Sequence, residues 1–316
     1  MKLLGTGAAG FTGTFLIQCL SHEGSVELTG LVRKPHQKRL LPHTACIVAD
    51  LLEPEPLIAS LTDICPDAVI HLGGITRGDF GDMLRANVIG TKNILDAATA
   101  ANPDCRILVV SSSAVYGNPG SAPITESTPL QPLSEYGISK MAEEAVALMY
   151  HKQNGVSVSI ARPFNLAGPG QPESFICGRL VRQVVDIEQQ KKTIIDLMET
   201  SSSRDLIDVR DIVRGYWALV SQPDFLNKCS GKAFNLGSGN AYPVPAIIET
   251  MEKITDQRYH INLPAEALRP SIPSQKSDNS RITSLTGWRP RISLEETLRD
   301  MLAATRAQSR GMEEIR

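Results

Sequence analysis

Lys2-Leu-Leu-Gly-Thr-Gly7-Ala-Ala-Gly10-Phe-Thr-Gly13 opens the 316-residue chain, and its reading decides how everything after it is read. Lys2 to Thr6 is short and apolar, as a buried strand requires, and an amphipathic stretch running to about Leu20 follows it. Three glycines, each three residues after the last, stand where strand gives way to helix. So tight a turn leaves no space for side chains. The last glycine lets the helix pack closely on its strand, and the free N–H groups at the helix start hold an anion. A glycine triplet alone can be an incidental turn, but its place between strand and helix points to a pyrophosphate cradled by Gly7, Gly10, Phe11, Thr12 and Gly13.

Outward from that unit, short apolar runs alternate with amphipathic ones up to residue 162, the pattern of parallel strands joined by crossover helices. Strands are expected at Lys2 to Thr6, Glu27 to Val32, Ala45 to Ala49, Ala68 to Leu72, Arg106 to Ser111 and Val156 to Arg162. Long helices are expected over Asp82 to Ala101 and Ser134 to Gln153. The fold class read from this is α/β, a Rossmann doubly wound parallel sheet. After Pro163 the chain turns to Gly, Pro and polar residues, as in Ala167-Gly-Pro-Gly-Gln-Pro172. A helix at Asp208 to Val220 and a strand at Lys232 to Leu236 would return to the sheet, and a helix from Leu294 to about Arg306 would close the tail. The expected organisation is a dinucleotide-binding domain over 1–162 and about 205–237, with a smaller, discontinuous C-terminal substrate lobe over 163–204 and 238–316.

Composition narrows the function classes. With 42% hydrophobic and 21% charged residues and a formal charge of −2, the chain has no basic surplus with which to neutralise a nucleic acid backbone. The six cysteines, Cys19, Cys46, Cys65, Cys105, Cys177 and Cys229, form no Cys-x-x-Cys pair, so no metal site is expected and the thiols read as reduced. No apolar run reaches the roughly 18 residues of a membrane helix, and the cytosol is the expected compartment.

Tyr136 and Lys140 lie four apart in an expected helix and so project from one face. Their chemistry is complementary: a free phenol ionises near pH ~10, and an adjacent ammonium draws it toward a useful range for proton transfer. Upstream stands Ser111-Ser-Ser-Ala-Val-Tyr-Gly117. Together with the glycine turn, these motifs resemble the short-chain dehydrogenase/reductase superfamily. The later motifs resemble its extended, epimerase/dehydratase branch along nearly the whole chain. These are Arg162-Pro-Phe-Asn165, Gly168-Pro-Gly-Gln171, Arg204-Asp205 leading into Asp208-Val-Arg-Asp211, Phe234-Asn-Leu-Gly-Ser-Gly239, Arg269-Pro270 and Gly287-Trp288.

The resemblance implies a catalytic trio of Ser112, Tyr136 and Lys140, the serine orienting a carbonyl beside a nicotinamide. It implies cofactor contacts from Asp50 and Leu51, from Leu72, Gly73 and Gly74 of His71-Leu-Gly-Gly74, and from Asn87, Tyr136, Lys140 and Pro163. It gives Ser113, Asn165, Arg204 and Arg269 to a nucleotide-diphosphate sugar, the arginines suited by their planar forks to phosphate oxygens. Arg204 could instead form a surface ion pair with Asp205. An NAD-selective site normally offers a carboxylate after the second strand; Arg33 and Lys34 stand there, which favours NADP(H) while leaving NAD(H) possible. Ser113-Ala114 lacks the acid that a 4,6-dehydratase places after its catalytic hydroxyl. The likeness therefore narrows to reductases of 4-keto-6-deoxyhexoses, nearest the GDP-4-dehydro-6-deoxy-D-mannose group. A nucleotide-sugar 4-epimerase stays open as the second reading. A non-catalytic dinucleotide sensor would retain the fold without the chemistry. A homodimer through the two long helices is also implied.

Overall fold

The computed structural model describes residues 1–21, 23–263 and 272–313, with side chains as far as 310. Seven parallel strands make the main sheet: β1 (Lys2–Thr6), β2 (Glu27–Val32), β3 (Ala45–Val48), β4 (Ala68–His71), β5 (Arg106–Val110), β6 (Val158–Pro163) and, far along the chain, β10 (Ala233–Leu236). Their order is β10-β6-β5-β4-β1-β2-β3, so the direction of travel reverses between β1 and β4, where the strand ends leave a crevice.

Alternation along each strand assigns one set of side chains to each face. Leu3, Ala68, Ile70 and Leu108 point into one core, which helices α1 (Phe11–Leu20) and α7 (Val209–Val220) complete with Leu16, Leu20, Ile212 and Tyr216. Leu4, Val69, Ile107 and Val109 point into the other, closed by α2 (Pro54–Ile64), α4 (Gly90–Ala101) and α5 (Glu135–Asn154) through Leu57, Leu61, Ile94, Leu95, Ala98 and Ala147. The fold is the doubly wound α/β sheet read from the sequence.

The stretch expected as one helix over Asp82 to Ala101 is three pieces: α3 (Phe80–Met83), a π-helical turn at Leu84–Ile89 and α4. A π turn often marks a functional site, and this one carries Asn87. Several helices went unread in the sequence, among them α2, α6 (Ile176–Glu188), α8 (Phe225–Lys228) and α9 (Val244–Thr255). In α6 the signal was present, since Cys177, Leu180, Val181, Val184 and Val185 recur at helical spacing and are all buried.

A third core joins α6, α9 and α11 (Leu294–Glu313). Beside it lie two small sheets, one of β7 (Asn165–Ala167), β9 (Ser203–Asp208), β11 (Ala241–Pro243) and β13 (Ser274–Gln275), the other of β8 (Ile195–Asp196) and β12 (Ile261–Asn262). Of the segment 205–237 expected in the dinucleotide-binding domain, α7 packs on the main sheet and β10 joins it, whereas β9 pairs with β7, β11 and β13. Conversely, Ile282 on α10 (Ser280–Thr286) and Trp288, placed in the lobe by the sequence, pack into the main core. They cover α7 there, and the Trp288 indole donates to the Asp211 carbonyl at 2.9 Å. Among the described residues no helix is long and apolar enough to cross a membrane.

Candidate active site

The glycine turn meets the end of β4. Gly7 adopts a left-handed φ of 63°, and a Cβ there would lie 2.9 Å from the Leu72 carbonyl carbon. At Gly13 a Cβ would lie 2.7 Å from the Ala8 Cα, so only glycine lets α1 approach its strand this closely. No side chain caps the α1 N-terminus and no acid stands in its first turn, which leaves its N–H groups and positive dipole end for an anion. These residues fit a dinucleotide pyrophosphate. Nearby, Gly73 sits against Leu51, where a Cβ would be 2.6 Å from Cδ1, and Gly74 against Asn87, 2.7 Å from Oδ1. Asn87 accepts from Ile75 N at 2.8 Å and donates to the Ile75 carbonyl at 3.0 Å and to Ser139 Oγ at 2.9 Å, tying the loop after β4 to α5. Asp50 accepts from Leu52 N at 3.0 Å, and Arg33 is exposed beyond β2.

Ser112, at the end of β5, caps the 3₁₀ turn Ser113–Tyr116: its hydroxyl oxygen accepts from Ala114 N at 3.2 Å. That leaves the hydroxyl proton for another acceptor. Helix α5 docks on this turn through Gly137, whose absent Cβ would lie 2.7 Å from the Ala114 carbonyl oxygen. Tyr136 therefore begins α5 beside the Ser112 turn, half-buried. One turn on, Lys140 is buried. Pro163 ends β6, buried, on the same carboxyl edge.

Sequence reasoning missed the partner of Lys140. Glu143, 0% exposed, is ion-paired with its ammonium. Glu143 also accepts from Thr91 Oγ1 at 2.9 Å; His71 Nε2 lies 3.0 Å from that hydroxyl, and His71 Nδ1 lies 2.8 Å from Thr6 Oγ1, which accepts from Gly73 N at 3.0 Å. Burial, reinforced by the Lys140 charge, pushes the His71 imidazole down to about 3, so it is neutral at neutral pH. Burial works against the Lys140 charge, but the carboxylate of Glu143 outweighs it and raises the ammonium above its ordinary range. The helical spacing of Lys140 and Glu143 was readable; the burial that gives it meaning was not.

The lobe supplies the other wall. Asn165 on β7 and Arg204 on β9 lie on adjacent strands, Asn165 Nδ2 donating to the Asp205 carbonyl at 3.4 Å. Arg204 donates to the Ser203 carbonyl at 3.0 Å, and burial lowers its guanidinium pKa despite the charge of Glu199. The alternative of a surface ion pair with Asp205 is overturned. Asp205 is 0% exposed and accepts from Ser238 N and Oγ, Gly239 N, and Ser277 N and Oγ at 2.6–3.0 Å, clamping two lobe segments together. Ser113 is buried, its hydroxyl donating weakly to Gln275 Oε1 at 3.5 Å, so it faces the lobe strand β13. Phe11 reaches the loop after β7: a Cβ on Gly168 would lie 3.5 Å from its ring. Arg269 and Pro270 lie outside the described residues. Among the described residues no cluster of His, Cys, Asp or Glu could hold a metal.

A family profile described as GDP-mannose 4,6 dehydratase matches residues 4–301. The GDP-6-deoxy-D-mannose reductase of Pseudomonas aeruginosa is 32% identical over 311 residues, covering 96% of each chain. The UDP-glucose 4-epimerase of Lactobacillus helveticus is 28% identical, covering 96% of this chain and 95% of its own. Among solved structures, that of RMD from Pseudomonas aeruginosa complexed with NADPH superposes with a TM-score of 0.83 at 30% identity, covering 97% of this chain and 99% of that one. UDP-glucuronic acid 4-epimerase from Bacillus cereus, in complex with UDP-glucuronic acid and NAD, gives 0.83 at 27% identity, covering 98% and 100%. The chain belongs to the GDP-mannose 4,6 dehydratase family, within the extended short-chain dehydrogenase/reductases.

Proposed function

We propose that this chain reduces the C4 keto group of a nucleotide-linked 4-keto-6-deoxyhexose, with NADPH as reductant and GDP as the carrier nucleotide. The observation that carries the reading is Arg33, exposed immediately beyond β2 where an NAD-selective site would present a carboxylate. A guanidinium there suits a 2′-phosphate. Ser113-Ala114 after Ser112 offers no acid for dehydration, and the relative from Pseudomonas aeruginosa supports the sugar class.

Gly7, Gly10, Phe11, Thr12 and Gly13 hold the pyrophosphate, Arg33 the adenosine phosphate, and Asp50, Leu51, Leu72, Gly73, Gly74, Asn87 and Pro163 frame the rest. When bound, the nicotinamide supplies the hydride. The free proton of Ser112 hydrogen-bonds the substrate oxygen and fixes its approach. Tyr136 gives its proton to that oxygen as charge develops on it, and Lys140 stabilises the phenolate left behind. Ser113, Asn165, Arg204 and Arg269 are the substrate contacts of this reading, which also includes a homodimer through α4 and α5 and a cytosolic location.

Purified protein should oxidise NADPH, followed by its near-UV absorbance, on addition of a GDP-linked 4-keto-6-deoxyhexose. Arg33→Asp should lower the preference for NADPH over NADH by about tenfold or more, since one charge-assisted phosphate contact is replaced by a repulsion. An unchanged preference would reject the role of Arg33. The second reading, a nucleotide-sugar 4-epimerase, draws on the epimerase relatives of equal coverage. Stoichiometric NAD retained through purification, with no net NADPH consumption, would establish it instead.

A further inference from the structure

Four side chains from four separate elements converge on the inner side of Lys140. Thr6 ends β1, His71 ends β4, Thr91 lies on α4 and Glu143 on α5, and all four are 0–1% exposed. Their protons have a consistent direction. Gly73 N–H donates to Thr6 Oγ1, which frees the Thr6 proton for His71 Nδ1. The neutral imidazole then carries its proton on Nε2 and donates to Thr91 Oγ1. The single Thr91 hydroxyl proton is shared between two acceptors, the Asn87 carbonyl at 2.6 Å and Glu143 Oε1 at 2.9 Å. The chain ends at the Lys140 ammonium, paired with the same carboxylate. A buried carboxylate is costly unless paired and hydrogen-bonded, so its presence beside this lysine calls for an account.

Resting on the reductase reading above, we infer that Glu143 is a positioning residue that partly offsets the Lys140 charge, so that Tyr136 keeps its proton until the substrate oxygen takes it while the ammonium still steadies the phenolate that follows. An unpaired ammonium beside Tyr136 would stabilise phenolate, the form suited to removing a proton from an alcohol. A nearby carboxylate opposes that field and favours the phenol, the form that must donate when a ketone is reduced. The buried pair thereby biases the site toward reduction.

Other charges around the pair are accounted for. On β4, His71 is neutral. On β6, Arg162 is taken by Glu144 and by Tyr116 of the 3₁₀ turn. On α4, Lys92 pairs with Asp96, which also accepts from Tyr150. Arg85 on the π turn is exposed, and Tyr216 on α7 is fully buried with its ionisation pushed up by burial. Glu143 is therefore the carboxylate engaged by Lys140, with Glu144 committed elsewhere.

The test is tyrosinate difference absorbance on the whole protein as a function of pH, with the profile of Tyr136→Phe subtracted to isolate one phenol. Burial raises the other five tyrosines, with Tyr116 pushed up to about 12. Glu143→Gln should move the isolated midpoint down by about one pH unit, because one negative charge is lost at partly buried range. Glu143→Asp keeps the charge and should hold the midpoint near that of the parent. Glu143→Met, which removes the charge without burying an amide, must show the same downward shift should the Gln variant fail to fold. A midpoint that stays or rises in the charge-removing variants overturns the inference. A midpoint that falls in protein showing no NADPH-dependent reduction leaves Glu143 in place and rejects the reductase reading. Active enzyme with an unmoved midpoint does the reverse.

Discussion

Tyr136→Phe should lower kcat for the keto-sugar by roughly 10³-fold, within the range that a positioned general acid contributes. Cofactor affinity should change less than about twofold. The asymmetry follows from what the substitution removes. Phenylalanine keeps the ring at the start of α5 and leaves the glycine turn and its free N–H groups untouched. Only the proton donor goes, an interaction realised as charge develops on the substrate oxygen, so kcat and kcat/KM should fall together. NADPH titration by fluorescence alongside steady-state turnover checks both halves. Retained turnover would end the assignment of Tyr136 as the acid, and lost NADPH binding would mean the phenol is structural.

Glu144→Gln should cost about 3–5 kcal/mol of folding stability, the usual result of stripping one partner from a buried ion pair. Arg162 is 5% exposed and Glu144 1%. The guanidinium donates through Nε at 2.9 Å and Nη2 at 2.6 Å to the two carboxylate oxygens, and through Nη1 to the Tyr116 hydroxyl at 2.8 Å. Tyr116 passes the chain to Asn235 Oδ1 at 2.7 Å, and Asn235 Nδ2 donates to the Ile124 carbonyl at 2.8 Å. With the amide in place of the carboxylate, a guanidinium remains buried without its counter-charge. Urea denaturation should show a lower midpoint with an unchanged slope. The double variant Arg162→Met with Glu144→Leu should recover to within about 1–2 kcal/mol of the parent, because neither charge is left behind. A Glu144→Gln protein as stable as the parent would mean that water reaches the guanidinium.

Both effects depend on contacts that differ in how far the chain must travel to make them, and that distance separates what was legible from what was not. The glycine turn, the strands beside it and the Tyr136–Lys140 spacing are local features. Their signals are periodicity and the residue types tolerated in a tight turn, and both are written within a dozen residues. The helix over Asp82 to Ala101 was legible, but not its π turn, whose Asn87 reaches Ile75 and Ser139 across the site through contacts that no local pattern shows.

The sequence alone determined the doubly wound sheet, the place of the glycine cradle and the face of α5 that carries the phenol and the ammonium, because short-range sterics and helical geometry leave few alternatives. The tertiary structure alone decided what those groups feel. It closed Glu143, Thr91, His71 and Thr6 around Lys140, turned Asp205 from a surface partner of Arg204 into a buried clamp, and returned Trp288 to the main core. Burial is set by residues tens to hundreds of positions apart, so even where a pair such as Lys140 and Glu143 is spaced for contact, no local pattern encodes the surroundings that give it meaning.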